Sequence, residues 1–475
     1  MTGPQIVRFS LALIAELLFC AALNLFDDWT LEQMPVRFVA VGIACGVAYL
    51  VAIGNFPVSI SPRKQAFLFW GVAIALRLVV LPLAPGDDFW RYQWEGKIQQ
   101  AGFNPYTHAP DDPELDSLRA DFPYWYKINH RDFRAIYPPA AELLFVGLSR
   151  VSDNPLLYKL LFAAADLATA AVLLRLLARS GDRAVAGIVD PGNSTRPTGI
   201  SDPGYNAPPS ERYQYASAAW YAWNPLVVYC FAGSAHFDSL MILPMLAGIL
   251  FLTKFELAKT SGDKWLLAVT AAALFGVAIS IKLIPVLLLP LCIFALGFRA
   301  ITLLVSLGIP ALLSLLYGFP KLPIWDSLTR FAHVTRLNDL FWWIIEETVW
   351  PNPRQKNYHY NVVIVVAVVL VSLIFCRNWR RGMLWVMSIA LILTPVLHPW
   401  YCTWILPLAA WRRAEPWLVL SVTLFAYFLF WNERLFSLPW RSELWLRAII
   451  IVPPLIGTLF FLSRTRAEEP VPDSV

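Results

Sequence analysis

Apolar runs of membrane-spanning length follow one another along almost the whole chain, separated by short polar connections. They cover 6–26, 36–56, 66–85, 156–178, 214–232, 238–256, 265–282, 284–297, 300–318, 361–376, 382–398, 400–411, 416–431 and 445–462. A bilayer core ~30 Å thick asks for ~20 apolar residues per helix. The pattern therefore predicts an all-α polytopic membrane protein of about fourteen transmembrane helices, a single integral-membrane domain over 1–475. The runs 284–297 and 400–411 are short and are expected to be broken or re-entrant. The first run is too long, and too poor in preceding charge, for a cleaved signal peptide, so it is expected to remain. Residues 138–150 (PPAAELLFVGLSR) are too few to span and are read as an interfacial helix. If they did span, every later crossing would reverse.

Orientation follows from the basic residues, which cytoplasmic loops retain in excess. Arg63 and Lys64, then Lys254, Lys259 and Lys264, then Arg377, Arg380 and Arg381, and finally Arg412, Arg413, Arg464 and Arg466 fall on one side of the fourteen-span count. That places both termini in the cytoplasm, in a cell inner membrane. The segments 86–155, 233–237, 319–360, 398–400 and 432–444 are then extracytoplasmic. Residues 179–213, rich in Gly, Pro, Ser and Asp, read as a mobile cytoplasmic loop. No internal repeat is clear enough to use.

Composition agrees with lipid as the main solvent. The 475 residues are 58% hydrophobic and 15% charged, with 21 Trp, 30 Phe and 17 Tyr, against roughly 25% charged in ordinary soluble domains. A net charge of +5 supplies no nucleic-acid-binding field. The six cysteines stand singly in or beside apolar runs, without the spacing of a disulfide framework or a zinc site. HExxH, GxGxxG, P-loop and serine-elbow patterns are missing, which leaves metallopeptidase, nucleotide-binding and hydrolase readings without support. No cofactor is called for. A divalent metal is conceivable beside an acid pair, but no ligand pattern supports one.

Chemistry concentrates in the connection 86–136, where nine acidic and six basic side chains are interleaved with eleven aromatics. A loop this long is usually functional or disordered, and aromatic content of this kind argues against disorder. It opens with Gly86-Asp87-Asp88-Phe89-Trp90-Arg91-Tyr92-Gln93-Trp94-Glu95-Gly96. On a helix, Asp88, Arg91, Tyr92 and Glu95 share one face, with Trp90 and Trp94 turned toward the headgroups. The bland reading of this string is an aromatic belt with solvated acids at a helix N-terminus. Further on come Gly102-Phe103-Asn104-Pro105-Tyr106, Ile128-Asn129-His130 and Ile136-Tyr137-Pro138-Pro139, each a turn-forming, aromatic-rich element.

These strings, with Ala235-His236-Phe237-Asp238, Lys282-Leu283-Ile284-Pro285 and His398-Pro399-Trp400-Tyr401, resemble the bacterial GT-C glycosyltransferases over about 66–411. The nearest members are mannosyltransferase-like, related to the enzymes that add mannose to GPI anchors and to mycobacterial lipid-mannan mannosyltransferases. The resemblance implies a GT-C-type fold and a multi-pass enzyme that takes its sugar from a polyprenyl phosphate on the extracytoplasmic side. Its partners would be that donor, a lipid-linked or glycan acceptor and membrane lipids. Asp88 occupies the place of the family's catalytic acid, and Asp87 is the alternative alignment. Two extra spans before the acid loop depart from the simplest family arrangement, in which that loop follows the first helix.

The residues suit an inverting transfer. A polyprenyl phosphate leaves as a stable anion, so what the acceptor hydroxyl needs is a carboxylate to take its proton. Arg91, Lys282 and His398 are the candidates for the donor phosphate. Tyr92, Trp94, Glu95, Asn104, Tyr106, Asn129, Tyr137, His236, Asp238, Trp400 and Tyr401 are the candidates for sugar and acceptor. Asp166, Arg77 and Glu16 are costly at bilayer depth, and structural pairing within the bundle is the plainer reading of them. The rival class is a transporter or flippase with a mid-membrane cavity ringed by Asp166, Arg77 and Lys282. A substrate-free scaffold is weaker, because it leaves the acid loop without a task.

Overall fold

The structure is a computed structural model that describes residues 3–26, 34–186, 209–297, 300–318, 324–354, 356–429 and 444–467. Among these residues the fold is helical throughout, apart from one bridge between Leu337 and Val396. Most of the expected loop 179–213, the connection 432–443 and the ends of the chain lie outside the described residues.

Among the described residues, six helices are long and apolar enough to cross a membrane: Gly3–Leu25, Met34–Gly54, Pro155–Arg179, Ser239–Leu257, Ser261–Ile281 and Ala300–Tyr317. A further pair, Tyr358–Ile374 and Cys376–Leu393, passes together but bends by 76° at its break. The all-α membrane class stands on these. The other expected runs are less regular, and their prolines and polar residues give the reason. Helix Pro62–Val80 carries Arg63, Lys64 and the buried Arg77. The run 214–232 is divided: one helix ends at Ala222 and another starts at Pro225, with the Asn224 side chain accepting from the amides of Leu226 (3.0 Å) and Val227 (3.3 Å). The run 284–297 breaks into a 3-10 turn, Ile284–Leu288, and a short helix that ends at Gly297, whose φ of 73° suits a residue without a Cβ. Helix Pro399–Arg412 has 14 residues, roughly 21 Å at 1.5 Å per residue.

Small residues set the closest packing. A Cβ on Gly42 would lie 2.3 Å from the Phe425 ring, and one on Gly46 would lie 2.5 Å from Val422. Close backbone approach of this kind is how helices associate where lipid removes the hydrophobic drive. In the core, Asp166 accepts from Arg77 Nε at 2.7 Å, and Arg77 also donates to the carbonyls of Ala73 and Ala222. Both side chains are almost fully buried (3% and 0% exposed), so neither is left as an unpaired charge.

The segment 138–150 is the helix Pro139–Val151, 13 residues long. It lies against helix Asp87–Gln100, and Gly96 is the contact: a Cβ there would sit 2.5 Å from the Phe145 carbonyl. Tyr92 stacks on Phe145 at 4.7 Å in the same seam.

Candidate active site

The acid pair is held by the turn before it. Helix Pro62–Val80 runs out into Leu81–Pro85, and the Lys159 ammonium donates to the carbonyls of Leu81 (2.9 Å) and Leu83. The Gly86 amide then donates to the Ser234 carbonyl at 2.9 Å. Helix Asp87–Gln100 starts at once, with both aspartates in its first turn, where the exposed N–H groups favour negative charge.

Asn129 closes over this helix start. Its side-chain nitrogen donates to Asp88 Oδ1 at 2.8 Å and to Asp87 Oδ2 at 3.1 Å. The outer turn 234–238 packs beside it. That turn follows a π turn, Tyr229–Gly233, and contains Ala235 at a φ of 62°. It brings His236 Nδ1 to 3.7 Å from Asp88 Oδ2. His236 is 4% exposed, and burial, helped by Lys282 and His398, lowers its imidazole pKa well below the usual range. Asp88 is pushed up to about 7, first by burial and then by the neighbouring Asp87 charge, with Asn129 and Lys282 opposing.

Both aspartates line a cavity of about 1320 Å³, which also takes in Arg91, Asn129, Tyr137, His236, Lys282, His398, Trp400 and Tyr401. Lys282 stands where helix Ser261–Ile281 ends. Its ammonium pairs with Asp238 Oδ1 at 2.6 Å and faces the rings of Phe237 and Trp404 at 5.1 and 5.0 Å. An ammonium has three N–H donors, and the Asp238 bond uses one. His398, Trp400 and His236 form a stack: Trp400 lies 4.4 Å from one imidazole and 3.9 Å from the other. Burial, with Lys282 and His130 nearby, pushes the His398 pKa down to about 3. At neutral pH it is therefore an uncharged hydrogen-bonding group and not a cation.

Several expected site residues do not reach the cavity lining. Trp94 is not exposed to headgroups at all; it is fully buried against Phe122. Tyr92 packs among Phe145, Tyr137 and Phe237. Glu95 accepts from Arg91 Nε at 2.8 Å. Asn104 donates to the Tyr317 carbonyl, and Tyr106 donates its hydroxyl to the Tyr137 carbonyl at 2.6 Å. Asp238 stands behind Lys282, where Trp404 Nε1 also donates to it at 2.5 Å. The helix is covered on all sides, so the single-face pattern identified the segment without separating its lining residues from its supports.

A polar end of the cavity was missed. Arg336 pairs with Asp339 and Glu346, and Arg447 lies 3.2 Å from Asp339 Oδ1. All four line the same space. The backbone pairing of Leu337 with Pro395 and Leu397 holds this end beside the His398 turn. The only local signal was the i,i+3 spacing of Arg336 and Asp339, since Arg447 is remote in sequence. Among the described residues, no group of three or more His, Cys, Asp or Glu side chains is arranged to hold a metal ion. Asp166 does not line the cavity and is tied to Arg77, which leaves the transporter reading without its ring of mid-membrane charges.

One wall of the cavity, including His236 and Lys282, comes from residues 211–297, and these match a family model described as alpha-(1->6)-mannopyranosyltransferase, N-terminal domain. This supports an enzyme, a glycosyltransferase, in a chain with several helices long and apolar enough to cross a membrane. Its likeness within that class is to the mannosyltransferases, as the sequence strings also indicate. Comparison with curated proteins and with solved structures gives no match.

Proposed function

We propose that the protein moves mannose, with inversion, from a polyprenyl-phosphate donor to a lipid-linked or glycan acceptor on the extracytoplasmic side of the inner membrane. Asp88 is the base that takes the acceptor proton, with Asp87 beside it. Lys282 and His398 meet the donor phosphate, Lys282 with its charge and His398 with a hydrogen bond. Tyr137, His236, Trp400 and Tyr401 shape the space for the sugars. Both termini are cytoplasmic in this proposal. The short and broken helices complete fourteen crossings, and 86–155 and 319–360 face outward.

The observation that carries this reading is one cavity with an acid pair on one wall and an ammonium on another. A leaving phosphate gains negative charge as its bond to the sugar breaks, so a fixed cation there acts where charge develops. The carboxylate takes the proton that the attacking hydroxyl must lose. The test is to supply purified protein with a panel of polyprenyl-phosphate sugars, using native membranes as acceptor. The mannose donor should be consumed, and Asp88→Asn should lower its turnover by about 10²–10⁴ with the fold retained. Equal use of a nucleotide sugar, or an Asp88→Asn variant of normal turnover, overturns the assignment.

A further inference from the structure

The Asn129 amide does more than line the cavity. One nitrogen carries two hydrogens, and here they go to two different carboxylates that follow one another in sequence, at 2.8 and 3.1 Å. Adjacent carboxylates disfavour each other's ionised form, and a hydrogen bond to the charged form offsets that. The donor reaches this position through a strained backbone. His130, the next residue, has a φ of 43°, a left-handed conformation uncommon outside glycine. Conformations of that kind persist where the surroundings over-determine them.

Arg91 supplies that determination. It sits one helical turn beyond the aspartates and is 5% exposed. Its NH1 donates to the His130 carbonyl at 2.8 Å, its NH2 donates to the Phe133 carbonyl, and its Nε donates to Glu95 at 2.8 Å. All three guanidinium nitrogens are thus engaged inside the protein, two of them on the loop that carries Asn129.

We propose that Asn129 is a positioning residue whose amide clamps Asp87 and Asp88 together, and that Arg91 sets this clamp by pinning the kink at His130. The role differs from the sugar contact first expected of Asn129 and from the phosphate contact expected of Arg91. It rests on the reading of Asp88 as the base. Asp88 is also reached by other groups: Asp87 on its own helix, His236 and Asp238 from the outer turn, Lys282 from the neighbouring helix end, and the Tyr92, Tyr137, Tyr401 and Tyr427 phenols. Among the described residues Asn129 donates to both carboxylates, so its removal has a signature of its own.

That signature is a pH shift. Removing a hydrogen bond from an ionised carboxylate raises its pKa. With polyprenyl-phosphate mannose as donor, Asn129→Leu should move the acidic limb of the rate profile upward by about one unit, leaving the rate on the alkaline plateau closer to normal. Arg91→Lys keeps the charge but not the fork of donors, so the limb should move in the same direction by less. Infrared titration of the Asp88 carboxyl band, assigned as the band lost in Asp88→Asn, should move in step without any need for turnover. The proposal is overturned if Asn129→Leu raises the donor KM equally at every pH while both midpoints stay fixed, because Asn129 is then a substrate contact. An unmoved midpoint in Arg91→Lys overturns the part given to Arg91. If Asp88→Asn turns over normally while the carboxyl band still shifts in Asn129→Leu, the clamp stands and the base assignment fails.

Discussion

Replacing Lys282 separates a donor-binding role from a structural one, provided its buried partner is replaced too. Lys282 is 16% exposed on its side chain and Asp238 is 1% exposed, with 2.6 Å between their charged atoms. Asp238 Oδ2 has no hydrogen-bond partner among the described residues. Lys282→Met alone therefore strands a buried carboxylate, and breaking such a pair from one side costs about 3–5 kcal/mol. The cost should lie near the lower figure, since Lys282 keeps some contact with solvent. Loss of activity in the single variant would then mix unfolding with loss of donor binding. The double variant Lys282→Met/Asp238→Asn removes both charges while leaving a carbonyl oxygen for the Trp404 N–H, so most of the stability should return. Removing both partners of a polar pair is commonly close to neutral. Activity should not return, because the ammonium assigned to the donor phosphate is gone. The assay pairs thermal unfolding in detergent with the donor dependence of transfer. A double variant that is stable and transfers at the wild-type rate refutes the phosphate role. A single variant as stable as wild type refutes the electrostatic argument itself.

The pH dependence carries a definite sign. With the Asp88 carboxyl at about 7, a base that must be ionised loses roughly tenfold in rate per pH unit below that value. Between the unfolded and folded pKa values the native state holds the extra proton, so Asp88 contributes stability at low pH that fades as pH rises toward 7. Asp88→Asn should flatten that part of the stability profile; an unchanged slope counts against the raised pKa. Gly96→Ala should destabilise by about 1–3 kcal/mol through overpacking, because its Cβ would meet the Phe145 carbonyl and Ser149 Oγ at 2.5 Å. Normal melting would mean that the two helices can part without cost. In intact cells, an impermeant thiol reagent should label a cysteine placed at residue 110 and not one at residue 195. Labelling of both would mean that 138–150 crosses the membrane, and the reverse pattern would mean that the charge reading of the orientation is wrong.

How much was legible in the sequence follows from what each feature requires physically. Spanning helices such as Ser239–Leu257 and Ser261–Ile281 are legible because lipid offers no hydrogen bonds, so any crossing segment must be long, apolar and helical by itself. The segment 86–96 stands out because acids, aromatics and glycine this dense have no use in lipid. Which members of that segment face the cavity is not local information. Trp94, Tyr92 and Glu95 have the same chemical character as the cavity-lining residues, and their tertiary partners Phe122, Phe145 and Arg91 keep them buried away from it. The pairings Asn129 with Asp87 and Asp88, Lys282 with Asp238, and Arg447 with Asp339 join residues about 40 to 110 positions apart. Periodicity reports a residue's relation to its own helix and carries nothing about such partners. Membrane solvation therefore set the fold class residue by residue, and the arrangement of charges around one cavity was decided by packing between helices.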